Sequence, residues 1–169
     1  MYCWRITKYN PDNRDVNGFY KKDDWTSVSD VGKEFSGVTL TLEEYLRYEN
    51  AYVDAVLQVM HGNDVDSLSV VALEKNVYFN FKDFPAQESK RFYNSLSLSR
   101  DLPLHSVAHI TRFALREVVW CKLGCERMYV HFGYDYYMYI GSEKPLEKEL
   151  NSLIDNGLFV ENFISPYMA

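Results

Sequence analysis

The sequence is poor in the features that announce a familiar chemistry. It has only 3 cysteines, Cys3, Cys121 and Cys125. An odd, irregularly spaced set does not read as a disulfide framework, so reduced thiols and a cytosolic, cytoplasmic setting are expected. No apolar run approaches the roughly eighteen residues of a membrane span, so no membrane association is expected. The opening Met1-Tyr-Cys-Trp-Arg-Ile has no basic stretch leading into a long apolar core, which argues against a signal peptide. The 8 glycines never fall into G-x-G-x-x-G or a P-loop, so nothing cradles a phosphate. Cations are also short: 18 Lys and Arg stand against 24 Asp and Glu, a formal net charge of −6. Nucleic-acid binding needs cations that displace counterions from phosphates, so no nucleic-acid partner is expected. Proline is scarce, at 5, and no segment is long enough to serve as a linker. Residues 1–169 therefore read as a single domain.

Aromatic surface is what the chain has in excess. Phe, Trp and Tyr make up 16% of residues, and 14 are tyrosines. That content supports a packed core and excludes a disordered chain. The densest stretch is Met128-Tyr-Val-His-Phe-Gly-Tyr-Asp-Tyr-Tyr-Met-Tyr-Ile-Gly141. A tyrosine is apolar along its ring and polar at its tip, so the run suits either a core-filling hairpin or a half-wet recognition surface.

Hydrophobic spacing and turn signals give the elements. Tyr2 to Tyr9 reads as a strand ending at Asn10-Pro11, followed by a polar loop over 11–24 that Trp25 anchors to the core. Thr41-Leu-Glu-Glu44 has the form of a capping box and opens a helix over 41–60, closed by His61-Gly62-Asn63. Strands are expected at 68–73 and 77–81, a loop with a possible short helix at 84–101, and a helix over Ser106–Cys121. After the tyrosine hairpin, Pro145 opens a last helix, Gly157 closes it, and residues 158–163 form a final strand. Strands in pairs with helices between them predict an α+β fold, a mainly antiparallel sheet with helices packed on one face.

Two turns are open to the hairpin. A two-residue turn at Gly133-Tyr134 would put Asp135 on the core face. A three-residue loop, Gly133-Tyr134-Asp135, pairs Phe132 with Tyr136 and segregates the side chains better. Met128, Val130, Phe132, Tyr136, Met138 and Ile140 then face the helices, and Tyr129, His131, Tyr137 and Tyr139 share the opposite face. The second arrangement is expected, with Asp135 in a left-handed conformation. The Tyr/His face is then either covered by another element or open for binding.

Chemical constellations are thin. Cys121, Cys125 and His131 offer three zinc ligands without a fourth, and His105 with His109 has i, i+4 spacing but Ser106 where a zinc protease needs glutamate. No metal and no cofactor is expected. His131 near Asp135 could serve acid–base chemistry, but nothing nominates a nucleophile or an oxyanion site, so no catalytic residue is assigned. Acidic residues crowd residues 31–66 and 128–169. Glu43, Glu44, Glu49 and Asp54 stripe the capped helix, and Glu143, Glu147 and Glu149 lie near the last one. Each stripe is either a solvated face or half of an acidic docking surface.

Several segments taken together carry a resemblance. They are Trp4-Arg-Ile-Thr-Lys-Tyr-Asn-Pro11, Asp24-Trp-Thr-Ser-Val-Ser-Asp-Val-Gly-Lys33, Leu40-Thr-Leu-Glu-Glu-Tyr45, Arg116-Glu-Val-Val-Trp-Cys-Lys-Leu123, the hairpin from Val130 to Gly141, and the ending Gly157-Leu-Phe-Val-Glu-Asn-Phe-Ile-Ser-Pro-Tyr167. The chain resembles small bacterial immunity proteins of polymorphic-toxin and contact-dependent-inhibition systems. The resemblance implies a non-enzymatic protein that binds and blocks a cognate toxin. The acidity then points to a basic toxin domain such as a nuclease, contacted by Tyr134, Asp135, Tyr137 and Tyr139, with Glu43 and Glu44. A small enzyme using His131 and a peptide-binding adaptor are the alternatives.

Overall fold

The computed structural model describes residues 1–80 and 86–168. Its strands are β1 (Tyr2–Thr7), β2 (Glu34–Phe35), β3 (Val38–Thr39), β4 (Ser67–Lys75), β5 (Asp101–Pro103), β6 (Val119–Gly124), β7 (Met128–Phe132), β8 (Met138–Ser142) and β9 (Phe159–Asn162). Its helices are α1 (Leu42–Gly62), α2 (Ala86–Ser95), α3 (Leu104–Leu115) and α4 (Glu147–Asp155). Single 3-10 turns lie at Pro11–Asn13 and Val28–Asp30. Seven strands form one antiparallel sheet in the order β5-β4-β6-β7-β8-β1-β9, and β2 and β3 form a separate small hairpin. The fold is α+β, with the helices packed against the sheet.

One apolar cluster joins the sheet to the helices. Ile6, Leu68, Leu123, Val130 and Ile140 from the strands meet Tyr52, Val56, Met60 and Ile110 from α1 and α3. Helix α1 begins as its sequence predicts, with the Thr41 hydroxyl accepting the Glu44 N–H at 3.1 Å. Such a cap contributes about 1 kcal/mol. The reciprocal half of the capping box is not made, because the Glu44 carboxylate accepts 2.9 and 2.8 Å bonds from Arg47 instead. Trp25 is buried as expected, packed against Tyr45, Tyr48 and Tyr136. It also covers the Lys8 ammonium, which lies 4.1 Å from its ring and 2.9 Å from Asp24. Burial lowers the Lys8 pKa to about 8.

Three expectations change. The helix expected over Ser106–Cys121 stops at Leu115, and Val119–Gly124 is strand β6. Glu117 adopts φ 59, and its N–H donates to Ala114 while that of Val118 donates to Phe113, a Schellman-type stop. From there Val119, Cys121 and Leu123 alternate inward as a strand requires. Residues 77–80 are not a strand, and Phe81 lies outside the described residues. Asn76 accepts the Tyr78 N–H on its side chain and the Phe79 N–H on its carbonyl, which turns the chain. The place beside β4 goes to β5 and β6. In the stretch expected as loop with a short helix, Ala86–Ser95 is that helix, α2, but Asp101–Pro103 is strand β5, and 84–85 lie outside the described residues.

Candidate functional site

The tyrosine run forms the β7–β8 hairpin, in a register two residues from the expected one. Phe132 pairs with Met138 rather than Tyr136, which leaves residues 133–137 as the connection. Asp135 is left-handed as expected, and Tyr136 joins it (φ 55 and 63). The Tyr137 N–H closes this turn on the Tyr134 carbonyl at 3.1 Å, and the Gly133 N–H donates to Tyr137 at 2.7 Å. An even slip keeps every strand residue on its face. Met128, Val130, Phe132, Met138 and Ile140 therefore still pack on the helices, and Tyr136 folds into the same core.

Bonds from the body of the protein hold the turn from beneath. The Tyr9 hydroxyl donates to the Asp135 carbonyl at 2.8 Å, and the Tyr52 hydroxyl donates to that of Tyr136 at 2.6 Å. The result is a fixed tip with Tyr134 pointing outward, 72% exposed, beside an exposed Asp135. Tyr137 is half-buried and accepts a 2.7 Å bond from Arg14.

An open cleft of about 370 Å³ lies beside this tip, between the turn, the end of β4 and the α3–β6 connection. Trp120, Phe132, Tyr134 and Tyr137 give it aromatic walls, and Glu74, Glu117 and Asp135 give it carboxylates. All three carboxylates belong to exposed residues, and none makes an ion pair among the described residues. Lys75, also on the cleft, places its ammonium 4.9 Å from the centre of the Tyr93 ring. Sequence reasoning did not find Glu74, Glu117 or Trp120 as site residues. They come from two segments remote from the hairpin, and Trp120 stands within what reads as helix.

The Tyr/His face is covered. The segment after β9 crosses it, with Tyr139 packed on Phe163 and Tyr167 and Trp120 edge-on to Tyr167. Tyr139 is 7% exposed, so its expected place among the contact residues requires that segment to leave. His131 is equally buried, stacks on Tyr129 at 4.4 Å, and has Nδ1 2.8 Å from the Ser165 hydroxyl. Burial first, and the Lys122 charge second, lower its pKa to about 4. At neutral pH it is an uncharged structural partner of Ser165, and Asp135 is not among its bonded neighbours.

The metal candidates are dispersed. Cys121 lies in the core on the helix face, where burial raises its thiol well above the usual value; Cys125 is exposed, and His131 is on the opposite face. Among the described residues, no three His, Cys, Asp or Glu side chains converge on a metal position. His105 is exposed, while His109 stacks on Phe92 at 4.5 Å and is lowered in pKa by burial.

The acidic stripe on α1 divides. Glu43 and Glu44 are exposed at its start, and hydrogen bonds from Arg47 hold the Glu44 carboxyl below its usual range. Glu49 is not on that wet face. It is 1% exposed and binds the Arg116 guanidinium through both oxygens, with the Tyr45 hydroxyl donating at 3.1 Å. No helix is long and apolar enough to cross a membrane among the described residues. No protein-family model, curated protein or solved structure matches the chain.

Proposed function

We propose that this chain is a non-enzymatic, immunity-type protein that binds a cognate toxin, a basic protein such as a nuclease domain, and occludes it. The observation that carries this reading is the hairpin tip. It presents Tyr134 and Asp135 on a backbone fixed by Tyr9 and Tyr52, beside a cleft whose three carboxylates have no ion-pair partner among the described residues. Rigid aromatic anchors next to uncompensated charge suit a protein interface, where the ring supplies contact area and the charge steers encounter. Glu43 and Glu44 add exposed negative charge, and the half-buried Tyr137 supports the tip from Arg14. Tyr139 has no part in the surface as it stands. Acid–base catalysis by His131 is not adopted, because its ring is buried and occupied by Ser165.

Co-expression with the product of the adjacent upstream gene tests the reading. The two proteins are expected to co-purify, and this chain is expected to rescue growth of cells making that product. Failure to bind and to protect would count heavily against the proposal. A peptide-binding adaptor is the second reading, favoured because β9 ends the sheet with one flank unpaired among the described residues. It predicts that a bound peptide slows amide exchange in Phe159–Asn162.

A further inference from the structure

We infer that the cleft beside the hairpin tip receives an arginine side chain presented on a loop of the protein partner. The volume of about 370 Å³ falls in the range of small-ligand pockets, roughly 300–1,000 Å³. Its rim decides the chemistry. Glu74 comes from the end of β4, Glu117 from the α3–β6 connection and Asp135 from the hairpin turn, so acidic residues line the cleft from three elements. Three acidic residues against Lys75 leave the lining net negative, which disfavours a phosphate, a nucleic acid or an acidic peptide. Lys75 does not answer this charge with an ion pair, since its ammonium lies over Tyr93.

Guanidinium fits better than ammonium. It is planar, donates from five N–H groups to more than one carboxylate, and stacks on aromatic faces of the kind Trp120 and Tyr134 supply. The rim is also set before any ligand arrives. Asn76 Nδ2 donates to the Glu117 carbonyl at 3.2 Å, the Asn76 N–H donates to that of Val118 at 3.0 Å, and Tyr9 holds Asp135. Little ordering remains to oppose binding.

The inference rests on the docking reading for the source of the arginine, and two arms of one experiment separate them. In the first, the isotope-labelled full chain is titrated with the peptide acetyl-Gly-Arg-Gly-amide while its amide spectrum is followed. Saturable shifts are expected at the Trp120 indole N–H and at the Gly133, Tyr134 and Asp135 amides. A citrulline peptide of the same length should bind roughly tenfold more weakly, because it keeps the shape and loses the charge. The triple variant Glu74→Gln, Glu117→Gln, Asp135→Asn should weaken the arginine peptide by a similar factor and leave thermal unfolding unchanged. Its substitutions are exposed, and asparagine tolerates the left-handed backbone at 135. Absence of shifts at these sites, equal binding of the citrulline peptide, or an unaffected triple variant would overturn the inference. Should the triple variant melt early, Glu74→Gln alone, which lies on no turn, must still weaken the arginine peptide. In the second arm, the triple variant is assayed for protection against the upstream gene product. If the parent chain protects and the variant protects equally well, the arginine cleft is wrong and the docking reading stands. If the parent chain binds nothing but the peptide arm succeeds, the docking reading fails and the cleft stands.

Discussion

Glu49 shows how much one side chain's meaning depends on a distant partner. On α1 it continues the line of Glu43 and Glu44, and helical spacing alone puts it on a wet face. Its partner Arg116 lies 67 residues away, past the end of α3, and nothing local to Glu49 announces it. With its carboxylate on Arg116, near Arg112 at 3.8 Å and bonded by Tyr45, it ties α1 to the connection that forms the cleft wall. Replacing Glu49 with alanine takes the carboxylate from the half-buried Arg116 guanidinium, and removal of one partner from a buried pair costs about 3–5 kcal/mol. We expect a urea midpoint lowered by a loss near the bottom of that range, about 3 kcal/mol, since Arg116 keeps some solvent access. A loss below about 1 kcal/mol would mean the pair is no more than a surface contact. Gly141 poses the opposite problem, a residue whose importance is the absence of an atom. The Tyr129 ring lies over it from the neighbouring strand, so a Cβ there would enter the ring's van der Waals envelope. Gly141→Ala should cost about 2–3 kcal/mol, as overpacking commonly does. The same substitution in a Tyr129→Ala background should cost under about 1 kcal/mol, because the obstructing ring is gone; additive losses in that cycle would refute the explanation.

The elements were legible where their boundary residues are the usual ones and hidden where other residues do the same work. Helices α1, α3 and α4 end in the same pair of backbone bonds, with a left-handed residue just past the helix: Asp64, Glu117 and Gly157. Only the third is glycine, and only there does composition mark the position of the stop. At α1 the glycine, Gly62, is still helical, and the left-handed turn falls two residues later. At α3 a glutamate does the turning, so the apolar run Val118-Val119-Trp120-Cys121 reads as more helix. The hairpin faces were legible because a two-residue slip preserves them. The length of its turn was not, because a left-handed tyrosine has no compositional signature. The cover over the Tyr/His face could not be read at all, since it depends on where the chain goes after β9. That cover makes a pH prediction. The folded chain holds His131 near 4, below its ordinary 6.5, so the unfolded chain takes up the proton first as pH falls. Stability from the neutral ring is complete above about 6.5 and is lost as pH drops through about 4. Carboxylates elsewhere also respond to acid, so the comparison is with His131→Gln. Between pH 7 and pH 4 the parent chain should lose about 3 kcal/mol more than that variant in urea unfolding. Equal losses would place His131 in contact with water.

At the scale of the whole molecule, the threading of the chain ends matters most. Strand β1, the first element, lies between β8 and β9, and the segment that follows β9 returns across the outer face to Trp120, His131 and Tyr139. The apolar cluster runs without a break from Trp4 to Leu158. Residues from β1 and from just before β9 therefore share one core with α1 and α3. Part-buried arginine ties, from Arg116 to Glu49 and from Arg5 and Arg14 to Glu161, likewise join segments far apart in sequence. Local opening of β1 would strip β9 of its partner strand and β8 of one of its two, and uncover Ile6, Met138 and Ile140 together. Such a structure should unfold in a single step, although at 169 residues it exceeds the roughly 150-residue size at which that behaviour is usual. The three tryptophans report on three places: Trp4 in the sheet, Trp25 beneath the hairpin turn, and Trp120 on the cleft wall. Labelled with 5-fluorotryptophan, they give three separate fluorine signals. All three native signals should disappear at one urea concentration, together with the far-UV circular dichroism. Earlier loss of the Trp120 signal alone would mean that the cleft is carried by a separately melting part, and the rigid rim on which arginine recognition depends would then be absent.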